Sequence, residues 1–205
     1  MSGLGYLERL LDGAAVDWVP LGDLGELVRG SGLPKSDFTE SGVPAIHYGQ
    51  IYTYYGMSTS VTRSFVSQKT AAPLRKVNKG DVVITNTSEN IEDVATPLVY
   101  FGEQQAVTGG HATIFKPTGP ILGMYLAHFM HTPTFDADKR RYAKGTKVID
   151  VAAVDLAKIP IPIPCPEDPQ KSLTIQGEIV RVLDAFTVSV RPDRYPFQRQ
   201  GSRSS

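Results

Sequence analysis

Residues 158–166 read Lys-Ile-Pro-Ile-Pro-Ile-Pro-Cys-Pro, and residues 174–187 read Thr-Ile-Gln-Gly-Glu-Ile-Val-Arg-Val-Leu-Asp-Ala-Phe-Thr. The first run alternates isoleucine with proline. Proline has no backbone N–H and fixes φ, so a helix is forbidden and only an extended or edge strand remains. It reads as a stiff exit from a globular body. The second run places Ile175, Ile179, Val182, Leu183 and Phe186 at i, i+4, i+7, i+8 and i+11. That spacing is a one-sided helical stripe. Together the two runs set an α+β class: a mixed, β-rich body with short helices, followed by one C-terminal helix.

The rest of the chain fits a β-rich body. Residues 43–55 and 61–66 are rich in β-branched and aromatic residues and read as strands. Val82, Val83 and Ile84 follow a Lys-Gly-Asp turn and form a short buried strand; residues 98–101 and 112–116 add two more. Residues 17–29 read as an extended segment followed by a strand or short helix, and residues 85–93 as a polar loop. Residues 6–11, 121–131 and 134–143 carry helical spacing. The final stretch loses periodicity and reads as a disordered tail. The expected division is an N-terminal helical segment at 1–16, a body at 17–166, a helix at 167–187 and an atypical tail at 188–205. Nineteen glycines and fifteen prolines, about 17% of the chain against an average near 12%, favour loops and short elements over a helical bundle.

Composition excludes several classes. Twenty-one basic residues balance 21 acidic ones among 205, so the chain does not coat nucleic acid by charge alone. Cys165 is the single cysteine, which rules out an intrachain disulfide and a cysteine-rich zinc site. The N-terminus has no basic, apolar leader, and no apolar run is long enough to span a bilayer. A cytoplasmic protein with no membrane contact is expected. Neutrality hides opposed patches, however. Residues 1–42 hold seven acids against three bases, and residues 139–147 hold five bases and no acid. Arg63, Lys69, Arg75, Lys76 and Lys79 form a second basic region.

Little in the chain supports an enzyme. There is no phosphate-binding loop, no dinucleotide glycine pattern and no nucleophile elbow. His128 and His131 share a His-x-x-His spacing that needs a third ligand, Asp136 or Asp138, to hold zinc. A packed or solvated helix end is the plainer account, and no metal is expected. A binding protein fits better. Residues 140–147 offer Arg140, Arg141, Lys144, Gly145, Thr146 and Lys147, in which cations meet phosphates and glycine lets the backbone approach a groove wall. Thr85, Asn86, Thr87, Ser88 and Asn90 supply hydroxyls and amides, and asparagine can read adenine bidentately. Gln50 lies among tyrosines at 48, 52, 54 and 55, of which Tyr52 and Tyr54 are the candidates for base or sugar contact. Gly110 and His111 are weaker candidates.

Several blocks together resemble a known family. DWVPLGDLGELVRG (17–30), HYGQIYTYYG (47–56), KGDVVITNTSENIEDV (79–94), GGHATIFKP (109–117), RRYAKGTKVIDV (140–151), DLAKIPIPIPCP (155–166) and TIQGEIVRVLDAFT (174–187) follow the order and spacing of the specificity (S) subunit of type I restriction–modification systems. The match covers roughly residues 4–187. The resemblance implies a non-catalytic target-recognition domain with the start of a conserved helix, a truncated coiled-coil arm. It implies sequence-specific binding of double-stranded DNA that directs adenine methylation and restriction to a bipartite target.

Modification (methyltransferase) subunits and restriction (translocase and nuclease) subunits would be the partners. S-adenosylmethionine, ATP and magnesium would belong to those partners, and this chain would bind no cofactor. A full subunit of the family carries two recognition domains, so this chain resembles a half-subunit. Two copies forming a homodimer would rebuild the bipartite reader. The helix stripe at Ile175, Ile179, Val182, Leu183 and Phe186 would then form a seam with a partner helix or with modification subunits. The alternative is a truncated interaction remnant that docks modification subunits without binding DNA.

Overall fold

The computed structural model describes residues 7, 10–11 and 13–190, with side chains up to residue 186. The strands are β1 Val16–Pro20, β2 Gly25–Arg29, β3 Phe38–Thr39, β4 Val43–Ile46, β5 Ser58–Thr59, β6 Ser64–Val66, β7 Arg75–Val77, β8 Val82–Thr85, β9 Thr87–Ser88, β10 Pro97–Tyr100, β11 Ala106–Thr108, β12 Ala112–Pro117, β13 Ile149–Asp150 and β14 Pro160–Pro164. The α-helices are α1 Leu21–Leu24, α2 Tyr48–Thr53, α3 Gln68–Ala71, α4 Gly123–Met130, α5 Pro133–Tyr142, α6 Ala153–Leu156 and α7 Pro169–Val190.

Two five-stranded sheets carry the body, in the orders β2-β12-β8-β10-β5 and β3-β6-β4-β11-β7. Successive side chains of a strand point to opposite faces. In the first sheet this sends Val82, Ile84, Val99 and Phe115 into the largest core, under α4, α5 and α7. It sends Val83, Leu98, Tyr100 and Ile114 into a second core, where they meet Ile46, Val77 and Ala106 of the other sheet. Ala45, Val66 and Val107 point the other way, into a third cluster with Leu33, Ala71 and Leu74. A sheet covered on both faces explains why residues 82–84 read as an unbroken apolar run rather than an alternating one.

The proline-alternating segment becomes β14, which pairs antiparallel with β1 from Val16↔Pro164 to Pro20↔Pro160. Only Ile161 and Ile163 have N–H groups to give to β1, so the prolines face the free edge. There the Pro162 carbonyl accepts a hydrogen bond from the Tyr125 hydroxyl at 2.6 Å. Burial pushes the Tyr125 phenol well above its ordinary pKa, so it remains a donor. The segment is not an exit from the body. Ile159, Ile161 and Ile163 are buried in the main core.

Residues 43–55 are not all strand. Only Val43–Ile46 is, and the chain then turns into α2. His47 caps that helix, its Nδ1 accepting from the Gly49 N–H at 3.2 Å. Residues 61–66 likewise shorten to the strand Ser64–Val66. The C-terminal helix runs to Val190, so residues 188–190 are helical rather than the start of a tail. Residues 191–205 of the expected tail lie outside the described residues, as does most of the expected segment 1–16. Leu7 and Leu11 of that segment are buried in the main core. Among the described residues no helix is long and apolar enough to cross a membrane.

Candidate nucleic-acid interface

Five stretches far apart in sequence meet on one side of the body. They are the outer face of α2, the short strand β9, the turn at residues 109–111, the loop at 144–150 and the end of β2. The turn is brought in by close backbone contact. A Cβ on Gly30 would lie 2.1 Å from the Gly109 carbonyl oxygen, so only glycine permits the approach. Arg29 then fixes the turn and the loop together. Its Nε donates to the Gly110 carbonyl at 3.1 Å and its guanidinium meets Asp150 at 3.3 Å.

The loop is closed by a reciprocal backbone pair. The Lys144 N–H donates to the Asp150 carbonyl at 3.0 Å, and the Asp150 N–H donates back at 2.8 Å. Gly145 has φ +100, and a Cβ there would sit 2.1 Å from the Val148 carbonyl oxygen. β13 at the loop's end pairs with β9 through Ile149↔Ser88 and Asp150↔Thr87. Thr146, Lys147 and Val148 are exposed at the loop's tip.

An aromatic line runs beside β9. The His47 and Tyr48 rings lie 4.6 Å apart, Tyr48 and His111 4.8 Å, and Tyr48 and Tyr52 6.4 Å. Thr87 Oγ1 and His111 Nδ1 are hydrogen-bonded at 2.9 Å. Ser88 hydrogen-bonds the Tyr52 phenol, whose pKa is nonetheless raised, chiefly by burial. Burial first, then Lys35 and His111, lowers the pKa of His47, which favours the neutral ring that its capping role requires.

Of the residues expected from sequence, Tyr52, Thr87, Ser88, Gly110, His111, Lys144, Gly145, Thr146 and Lys147 come together here. Asn90 stands exposed at the rim, its amide donating to Asp93 at 3.4 Å. Others do not join. Thr85 and Asn86 are fully buried. Thr85 donates to the Asp93 carbonyl at 2.8 Å. Asn86 donates to the Val151 carbonyl at 2.7 Å and accepts from Thr113 at 2.9 Å. Both are internal joints, their side-chain polar atoms engaged within the body.

Gln50 and Tyr54 also turn away. Gln50 reaches Ser64 at 2.7 Å. Tyr54 lies under the Arg63 guanidinium at 4.5 Å. Arg140 and Arg141 sit on α5 in ion pairs with Asp136, Glu92 and Asp138. Lys144 meets Asp155 at 3.2 Å. The basic run is thus largely neutralised within the chain. Sequence reading left out Arg29, Asp150 and Tyr48. The spacing of Tyr48 from Tyr52, four residues on one helix face, was the available signal.

The model of the type I restriction modification DNA specificity domain matches residues 15–190. The chain belongs to that family. This specificity domain is 28% identical over 191 residues to the EcoR124I/EcoR124II specificity subunit of Escherichia coli, covering 91% of this chain and 42% of that one. It is 31% identical over 199 residues to the EcoprrI specificity subunit of the same organism, covering 91% and 46%. It therefore spans less than half the length of these relatives. Among solved structures, the HsdS subunit from Thermoanaerobacter tengcongensis overlays with a TM-score of 0.59 at 17% identity, covering 90% of this chain and 44% of that one. A chain from a study of type I R-M complex assembly and conformational transition overlays at 0.60 and 19%, covering 90% and 47%. These overlays establish the α+β fold.

The helix α7 of this specificity domain is docked on its own body. Gln176 accepts from the Leu122 N–H at 2.9 Å and donates to the Pro120 carbonyl at 2.8 Å. His128 Nε2 meets Asp184 at 2.7 Å, so the expected His-x-x-His pair has one ring engaged by a helix carboxylate. Ile179 is buried in the main core, and Ile175 and Leu183 pack against it. The expected five-residue seam is therefore divided: three residues face the body, because the helix folds back on it. Val182 and Phe186 line the helix's outer side with Glu178, Arg181 and Ala185.

Proposed function

We propose that this chain is a non-catalytic recognition module that binds double-stranded DNA and, within a type I restriction–modification complex, directs adenine methylation and restriction to a bipartite target. The observation that carries this is the convergence of Tyr48, Tyr52, Ser88, His111 and the 144–150 loop on one polar face. Each part is held by hydrogen bonds to another segment. A rigid face built from loops on a sheet scaffold suits discrimination among similar ligands. Family membership supports the same reading.

Modification and restriction subunits are the proposed partners, with S-adenosylmethionine, ATP and magnesium held by them. A second copy of this chain would supply the other half of the target. The location is the cytoplasm. Arg140, Arg141 and Lys144 are paired within the chain, which leaves Lys147 as the unpaired cation of the 140–147 run among the described residues. The chain's grip on DNA alone is weak, and modification subunits supply the rest.

A mobility-shift titration of a type I target duplex tests this, with and without the modification subunit, across salt concentrations. The expected result is specific binding with the subunit that weakens steeply as salt rises. Lys144→Ala with Lys147→Ala should weaken binding to all sequences alike. Tight, salt-insensitive binding by the chain alone would contradict the proposal. So would the absence of any sequence preference in the complex.

A further inference from the structure

Within that DNA-recognition reading, on which this inference rests, we infer that His111 is a specificity-determining residue. Its Nε2–H donates a hydrogen bond to an acceptor atom on a base edge in the major groove. The acceptors of this chemistry are purine N7, guanine O6 and thymine O4.

The ring is held in three ways. Its Nδ1 is hydrogen-bonded to Thr87 Oγ1 at 2.9 Å. One face packs against Tyr48, with centroids 4.8 Å apart and planes at 43°. Its own backbone carbonyl accepts from the Asn86 N–H at 2.8 Å, and the preceding Gly110 carbonyl accepts from Arg29. The residue is nonetheless exposed. Its Nε2 has no hydrogen-bond partner among the described residues, so the ring presents one unspent polar atom from a fixed position.

Chemistry decides what that atom offers. Among the described residues the Thr87 hydroxyl has no acceptor other than His111 Nδ1. With the Thr87 hydroxyl donating to Nδ1, the hydrogen of the neutral ring lies on Nε2. Protonation of the ring would also leave N–H at Nε2. In both forms the outward atom is a donor. A donor on a ring held by hydrogen bond and packing loses little freedom on binding, which favours discrimination over general affinity. Thr87 thus acts as a positioning residue for His111.

The test begins by selecting bound sequences from a random duplex pool with the full chain and its modification subunit. Each position of the selected target is then replaced with 7-deazapurine, which lacks N7, with 2-aminopurine, which lacks guanine O6, or with 4-thiothymine. One position should show a single-atom penalty of about tenfold. His111→Ala should abolish that penalty while preference at the other positions persists. Thr87→Val should reduce it, and Thr87→Ser should restore it. Enrichment without a His111-dependent position would overturn the inference and leave the DNA-recognition reading standing. No enrichment from the pool would overturn both.

Discussion

Replacing Asn86 by alanine should damage stability and leave base preference intact. Asn86 is fully buried. Its amide nitrogen donates to the Val151 carbonyl at 2.7 Å, and its amide oxygen accepts from the Thr113 hydroxyl at 2.9 Å. Its backbone ties the same segments, donating to the His111 carbonyl and accepting from the Val151 N–H. Alanine keeps the backbone bonds but strands one buried acceptor and one buried hydroxyl. Each costs about 1–3 kcal/mol. Thr113 can rotate its hydroxyl to recover part of this, so a loss of about 2–4 kcal/mol is expected.

For a chain of this size that corresponds to a fall in Tm of about 4–16 °C. Thermal and urea unfolding followed by circular dichroism would measure it. A parallel binding assay should be run well below the variant's Tm, with discrimination among single-base target variants compared per folded molecule. A variant as stable as the parent that has lost preference at one base pair would refute the placement of Asn86 as an internal joint.

Gly145→Ala must place a Cβ against the Val148 carbonyl at a positive φ. It should cost about 1 kcal/mol or more of local stability and raise amide exchange across residues 144–150. Gln176→Ala leaves the Leu122 N–H and the Pro120 carbonyl without their side-chain partner. It should cost about 1–3 kcal/mol and loosen α7, seen as faster exchange of the helix amides with the sheets unchanged. The pKa of His47 is lowered in the fold. The unfolded chain therefore binds more protons as pH falls through its ordinary value near 6.5. Stability should be full above that value and decline below it toward the folded pKa. His47→Asn, which keeps a capping acceptor, should flatten the pH profile of the urea midpoint between pH 7 and pH 5.

Much of the fold was legible because its signals are local. Alternating prolines leave only an edge strand, and residues 160–164 form one. Its place in the core was not legible, because pairing with β1 is a contact across 140 to 148 residues. Residues 47–55 misled for a different reason. Tyrosine favours strands, yet Tyr48, Ile51, Tyr52 and Tyr55 also fall at i, i+3, i+4 and i+7. Burial of Ile51 and Tyr55 between the sheets settles the segment as helix.

At the candidate site, composition pointed to loops that the fold brings together but not to which of their side chains are buried. Thr85 and Asn86 look like Thr87 and Ser88 in sequence. Strand β8 ends at Thr85, and Thr85 and Asn86 are fully buried, whereas Thr87 and Ser88 lie on β9 beside the aromatic line. The basic run at 139–147 looked free because its acids, Glu92, Asp136, Asp138 and Asp155, lie on either side of it in sequence. The helix was legible from its stripe, but the five residues do not share one face: Val182 and Phe186 lie on the outer side. Its partner for Ile175, Ile179 and Leu183 is the chain's own body.

The central claim is that one face, built from residues 48–52, 87–88, 109–111 and 144–150, meets the DNA. Amide hydrogen exchange measured with the modification subunit present, with and without the selected target duplex, addresses it most directly. Protection on adding the duplex should gather in those four stretches and be absent for a scrambled duplex of equal length. Protection confined to α7 or to the basic residues at 63–79, or equal protection by both duplexes, would contradict the account.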